Sequence, residues 1–539
     1  MFFKRELLIL GATLTSAVLV AACGAERDAA EQVTEQVTEV QAALTEDQRL
    51  AACAEDPRVI AGLVSKRLCA GADIFFRETF QGNGRTCGTC HSAANNTTLD
   101  VPFINSLPPS DPLFVFKSNP ALAELEGNDS IFLSAVVREN VDGFNNPPQN
   151  FVGRSVPHVL SMVTSIAPDT GDGSTNPPVQ RTGWSGDGAP GDGSLRQFLT
   201  GAVAQHYPKT LARVADVDFR VPTPLELDLV NEFQLALGRL NDLDLTQVNI
   251  FDPAANQGRQ AFMDPQRGRC NVCHFNAGAN SQDTHKNRNF DTGNRAIIAG
   301  FGIGTRADGG PMFDAGFGGI GLTQPNFDVF NFDPQSQGVP NSFGDGRFNT
   351  PPLIEAADTP PFFHNNQDSS TDIEDAVFFY VDAFPFPISP AGKELEARFG
   401  TPIQFTTDDG FAIARFLRVL NVAFNLDIAK QRLNAVQTLV DRFHDTRADI
   451  QLELIRLATA EIDDALGVIT SQKTAQPFLP IAVERLGLAK GEIAAALTSG
   501  ATWQTRQSRI SNGISRVLNA RDQLGANINF QLGQGNLLF

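Results

Sequence analysis

Apolar residues recur at helical spacing in separate blocks, divided by long stretches in which no period survives. The blocks at about 45–80, 224–240 and 254–264 combine that spacing with good helix formers and predict helices. From about residue 429 the pattern becomes more regular. Leu433, Val436, Leu439, Val440 and Phe443 mark one apolar face; Leu452, Ile455, Ile462, Leu466 and Ile469 mark a second; amphipathic segments fill 479–499 and 505–524. This predicts a C-terminal helical bundle over 429–539, in which His444 serves only for packing or surface. The intervening stretches 143–194 and 276–350 are rich in Asn, Gly, Asp and Pro, with Gly171-Asp172-Gly173 and Gly186-Asp187-Gly188 among them, and predict loops. Loops of that length in a compact domain are functional or wrap a ligand. The fold class is therefore mainly α.

At the N-terminus, Lys4 and Arg5 precede an apolar run from Leu7 to Ala22. A membrane span needs about 20 such residues, so this one fits the core of a signal peptide over 1–22. Its end, Leu19-Val20-Ala21-Ala22-Cys23-Gly24, resembles a bacterial lipobox, which implies that the thiol of Cys23 carries a lipid. Residues 23–47, rich in Glu, Gln, Ala and Thr, read as a flexible tether. The expected location is the periplasm, on a bacterial membrane (the outer one), with the lipid as the only membrane contact.

Composition narrows the partners. The 539 residues are enough for several domains. They carry a net charge of −19 with no run of Lys or Arg, which argues against nucleic acid and favours a basic protein or a small neutral molecule. Phe is used 41 times against two Tyr and two Trp, so a Tyr or Trp at a motif position stands out.

Of the seven Cys, four lie in two matching pentapeptides: Cys87-Gly88-Thr89-Cys90-His91 and Cys270-Asn271-Val272-Cys273-His274. On a helical turn, positions i and i+3 share a face, so both thiols can add to the two vinyl groups of a haem while the following His reaches the iron. Chance would give one such match roughly once in a thousand chains of this Cys and His content. A zinc site would instead need histidines placed independently of the two pairs. The prediction is two covalently bound haems c, ligated by His91 and His274. Cys53 and Cys69 remain, either as a disulfide worth about 3 kcal/mol or as buried thiols.

After the second motif come Thr350-Pro351-Pro352-Leu353, Thr359-Pro360-Pro361-Phe362-Phe363-His364-Asn365-Asn366 and Ile373-Glu374-Asp375-Ala376-Val377-Phe378-Phe379-Tyr380. In order and spacing they resemble the T-P-x-L-R-N, T-x-P-Y-x-H-x-G and L-x-x-A-V pattern of the bacterial di-haem cytochrome c peroxidase and MauG-type family. Ile354-Glu355 stands in place of R-N, and Asn366 in place of the Gly. Earlier, Gly153-Arg154-Ser155-Val156-Pro157-His158-Val159-Leu160-Ser161 resembles G-R-N-x-P-T-V-L-N, and Trp184-Ser185-Gly186-Asp187-Gly188 resembles W-D-G-R. The likeness covers about 60–425. It implies two tandem cytochrome c-like haem domains, 48–235 and 236–428, followed by the C-terminal bundle.

The resemblance also implies roles. Tyr380 takes the position at which the peroxidases have a Met ligand to the second iron and MauG-type members a Tyr; a phenolate lowers the potential and stabilises oxidised iron. Met312 is its rival. Trp184 corresponds to the Trp that relays charge between the haems. His364 lies near the second haem in a structural role. The His that protects the first haem in the peroxidases has no counterpart in 92–157, leaving His158, Met162 and His206 as the nearest candidates. His206 falls close to the family's catalytic Glu and is expected as a distal acid/base. A calcium ion between the domains is implied at the carbonyls of Thr359 and Pro361, with Ser161 where the family has Asn. The expected function is electron transfer coupled to peroxide reduction or MauG-like oxidation, with a small redox protein or other electron donor and hydrogen peroxide or another small oxidant as partners. The alternatives are a non-catalytic relay cytochrome and a dioxygen-activating relative of the rubber oxygenases.

Overall fold

The computed structural model describes residues 45–127, 130–139, 152–171, 179–184, 186, 192–292, 347–364, 366, 372–382, 386–470 and 478–538. The signal peptide, Cys23, nearly all of the tether and Met312 lie outside them. The described chain is mainly helical, and none of its helices is long and apolar enough to cross a membrane.

Helix α1 (Glu46–Ala54) is tied to α2 (Lys66–Arg77) by a disulfide between Cys53 and Cys69, whose Cα atoms are 5.7 Å apart. The first motif forms a single turn, α3 (Cys87–Cys90). A hairpin follows, β1 (Val136–Glu139) antiparallel to β2 (Val152–Ser155), then α4 (Leu195–His206) and α5 (Pro224–Leu235). A capping box starts α5: the Thr223 hydroxyl accepts from the Glu226 N–H, and Glu226 accepts from the Thr223 N–H at 2.8 Å. The two helices α2 and α5 cross backbone to backbone, because a Cβ on Gly71 would sit 2.2 Å from the Leu229 carbonyl oxygen.

The second half repeats this plan. After β3 (Asn249–Ile250), helix α6 (Pro253–Met263) starts from Asp252, whose carboxylate accepts from the Ala255 N–H at 2.8 Å. The second motif is again a single turn, α7 (Cys270–Cys273). Two short strands, β4 (Asn289–Phe290) and β5 (Phe348–Asn349), pair antiparallel, and α8 (Ile373–Phe378) precedes the long α9 (Thr407–Phe443). Here α6 crosses α9 at Gly258, where a Cβ would lie 1.8 Å from the Ala412 carbonyl oxygen.

Helices α10 (Ala448–Thr470), α11 (Pro480–Ala496) and α12 (Trp503–Arg521) complete the expected bundle with the end of α9. The bundle is not a separate domain, however. The expected boundary at 428/429 falls inside α9, a continuous helix of 37 residues. Between Ala412 and Ala429 only Arg415 and Asp427 escape burial. One hydrophobic core runs from Cys53 through both motif halves to Leu538. The tail returns to both halves: β6 (Gly525–Ala526) pairs with β3, Asn536 bonds both the N–H and the carbonyl of Gly238, and Arg58 of the first half donates to the Leu537 carbonyl at 2.9 Å. Residues 46–539 form one compact unit, so the divisions at 235/236 and 428/429 do not separate independent bodies.

Candidate functional site

The two pentapeptides adopt nearly the same conformation. Each is one helical turn closed by the His, whose N–H donates at 2.8 Å to the carbonyl of the first Cys, and the His backbone angles agree closely (φ −94°, ψ 64° at His91; φ −108°, ψ 62° at His274). Each imidazole uses Nδ1 in the same way. His91 Nδ1 lies 3.0 Å from the Thr97 carbonyl oxygen and His274 Nδ1 lies 2.9 Å from that of Pro351. Only a protonated Nδ1 can donate to a carbonyl, so the hydrogen bond assigns the tautomer and leaves Nε2 with a free lone pair. Burial reinforces this by pushing both imidazoles down to about 4, against the pull of those carbonyls, so they are neutral at pH 7.

The thiols form no disulfide and are half-buried, and desolvation pushes Cys87 and Cys90 up to about 11 and Cys270 and Cys273 up to about 12. Among the described residues no three His, Cys, Asp or Glu side chains gather where they could share a bare metal ion, so the four thiols do not form a zinc set. Each motif instead presents two thiols and one basic nitrogen to the same space, a cavity of about 690 Å³ that both motifs line.

The cavity also gathers most of the other candidate residues. Tyr380 lies in the turn after α8, against Phe379 and Phe386 with ring centroids 5.2 and 4.8 Å away, in the same apolar cluster as Cys273. Burial pushes its phenol well up. Its position is fixed from behind, because Arg418 of α9 grips Glu374 of α8 with two bonds, of 3.0 and 2.6 Å. Trp184 donates from its indole to the Ser155 carbonyl at 2.8 Å and meets the His364 ring edge-on at 6.4 Å. His364 is buried and stacked on Phe348 at 3.6 Å, a packing role beside Trp184. His158 and Met162 line the same space, as do Thr359 and Pro361, while Ser161 is buried just before the short helix Met162–Ser165. His206 ends α4, its Nε2 3.4 Å from Glu139 Oε1. Outside the cavity, His444 closes α9 and packs on Trp503 at 4.4 Å.

Three cavity residues have no counterpart in the sequence reading. Glu139 reaches His206 from the edge of β1. Tyr207, the second Tyr of the chain, places its hydroxyl 3.1 Å from Cys87 Sγ, and its carbonyl accepts from Asn83 at 2.7 Å. Arg85, next to the first motif, is buried and forks onto Glu126 at 3.0 and 2.5 Å. The rarity of Tyr was the one available signal for Tyr207; nothing in the sequence marks Glu139 or Arg85.

Comparison with known proteins finds no matching family model, no matching curated protein and no matching solved structure.

Proposed function

We propose that this chain is a di-haem c-type cytochrome lipoprotein of the bacterial periplasm, coupling electron transfer to peroxide reduction or to MauG-like oxidation. The observation that carries the proposal is the pair of matching C-x-x-C-H turns opening on one cavity, each with two half-buried thiols free of disulfides and an imidazole whose Nε2 is free. That donor set fits haem c: the thiols are spaced for two vinyl groups, and one neutral imidazole suffices when the macrocycle supplies the other four nitrogens. Haem, when bound, would supply a redox-active iron for single-electron transfer and for reaction with peroxide.

The chain's own residues supply the rest. His91 and His274 would hold the irons through Nε2, and the Thr97 and Pro351 carbonyls fix both rings and would raise their basicity as ligands. The guanidinium groups of Arg154 and Arg181 on the cavity wall bring positive charge that suits haem carboxylates. Tyr380 is the protein ligand offered at the second motif, and Trp184 offers a relay between the two. A calcium ion held partly by the Thr359 and Pro361 carbonyls, a lipid on Cys23 and an external electron donor belong to the same reading.

The test is a pyridine haemochrome count on protein made in a host competent for cytochrome c maturation. Two haems per chain are expected, and Cys87→Ala together with Cys90→Ala should remove one. A count of one or zero for the unaltered chain overturns the proposal. A second reading, a relay cytochrome with both irons saturated, is favoured by His158 and Met162 on the cavity wall. EPR separates the two, since the relay shows only six-coordinate low-spin ferric haem.

A further inference from the structure

Glu139 and His206 come from distant parts of the chain, the last residue of β1 and the last residue of α4, and meet in the cavity that holds the first motif. Nε2 of the imidazole lies 3.4 Å from Oε1 of the carboxylate, and each side chain keeps 29% of its surface exposed, so the pair is reachable from the cavity. Both ends of the contact are held. The His206 carbonyl accepts from Asn83 Nδ2 at 2.9 Å, and the neighbouring Tyr207 carbonyl accepts from the Asn83 N–H. Glu139 sits in register opposite Val152 in the β1–β2 hairpin. Arg154 and Arg213 bring positive charge near the carboxylate, and with the hydrogen bond from His206 they hold its pKa below the usual range despite burial. It is thus an anion at neutral pH, facing one nitrogen of the ring.

A carboxylate that accepts from Nε2–H orients the ring and leaves Nδ1 as the proton acceptor. We propose that Glu139 is the positioning residue for His206, and that the two form the acid/base pair of the first haem site, taking the proton from an incoming weak acid such as hydrogen peroxide. The step is a proton transfer only: the O–H bond of the acid breaks, its electron pair stays on the oxygen, and the proton passes to Nδ1, from which it can be returned to a departing oxygen. The inference rests on the di-haem reading and adds the residue that orients the base.

Cyanide is the probe, because hydrogen cyanide must lose its proton to bind ferric haem, and its association rate reports the base without turnover. On the di-haem holoprotein, His206→Gln should slow cyanide association by about a hundredfold and Glu139→Gln by about tenfold, within the range for a positioned acid/base group. Glu139→Asp should recover part of the loss, and His444→Gln, outside the cavity against Trp503, should leave the rate unchanged. Haem count and far-UV circular dichroism should be the same in all four variants. Equal rates in Glu139→Gln and the unaltered protein, with two haems present, overturn the pair and leave the di-haem reading standing. So does a holoprotein that binds no cyanide at all. Absence of covalent haem overturns both.

Discussion

At the residue scale, the chemistry sits in side chains whose partners are backbone carbonyls, and this decides what the sequence can disclose. Cys87, Cys90, His91, Cys270, Cys273 and His274 were legible because their spacing is itself the chemical requirement. The Thr97 and Pro351 carbonyls that orient the two imidazoles were not, since every residue has a carbonyl and only the fold selects one. Glu139 was hidden for a related reason, as it reaches His206 across 67 positions of chain. Glu355, too, has a partner that only the fold discloses: it is fully buried against the equally buried Arg239, with Nε and Oε1 2.5 Å apart. Tyr380 gives the sharpest test at this scale. Tyr380→Phe keeps the ring among Phe379 and Phe386 and removes only the oxygen. On the di-haem reading it should change the spin state of one haem and raise that haem's potential by on the order of 100 mV, because axial ligand identity is the main lever on haem potential. Spectroelectrochemistry with EPR checks this, and two unchanged haems would return the ligand position to Met312 or leave it empty.

At the element scale, the same arrangement is built twice: a helix with a glycine at its crossing point, a one-turn motif, and a later helix packed across the first. The helices themselves were legible from periodicity, and α2, α5 and α6 fall within the predicted blocks. Their pairing was not, because a glycine in a helix reads as a weak helix former until a neighbouring backbone is seen against it. Gly258 has no room at all, with the Ala412 carbonyl oxygen 1.8 Å from where a Cβ would lie. Gly258→Val must therefore push α6 away from α9, and α6 leads directly into the second motif. The expected cost is about 3 kcal/mol, the upper range for overpacking, read as a lower midpoint in denaturant unfolding. Haem loading at the second motif should fall while loading at the first persists. Gly467→Val is the control, since a Cβ there meets nothing within 4 Å. Equal stability of the two variants would mean that the crossing is not as tight as the backbone implies.

At the scale of the whole molecule, the C-terminal helices are part of the core. The periodic pattern suggested a boundary near 428 because a helix buried on all sides shows no apolar stripe, and α9 is such a helix over Ala412–Ala429. Its later half, buried on the single face of Leu433, Val436, Leu439 and Val440, shows the stripe and so looked like a new beginning. The bundle also reaches the loops behind the two motif histidines. Asn96, next to Thr97, donates to the Asp358 carbonyl at 3.2 Å, and Asn425 of α9 donates to the Asp358 carboxylate at 2.5 Å. Burial pushes up both Asp358 and Asp464 of α10, helped by the charges of Glu461 and Glu355 at Asp358 and of Asp358 and Glu461 at Asp464, so these carboxyls belong to one buried polar group shared by loop and bundle. A chain ending at residue 428 would lose Asp464, the Val468 carbonyl that accepts from Arg418, the Leu537 carbonyl that accepts from Arg58, and the strand paired with β3. It would also expose the apolar surface of α9 that α10 and α12 cover, and each buried donor left without its acceptor costs about 1–3 kcal/mol. Added to that apolar exposure, such losses are on the scale of the roughly 5–15 kcal/mol that holds a typical domain together. The intact protein should unfold in one cooperative transition when followed by both circular dichroism and tryptophan fluorescence, Trp503 reporting the bundle and Trp184 the cavity. The truncated chain should be insoluble or bind no haem. A soluble 45–428 fragment with its own cooperative transition would restore the bundle to the status of an appendage.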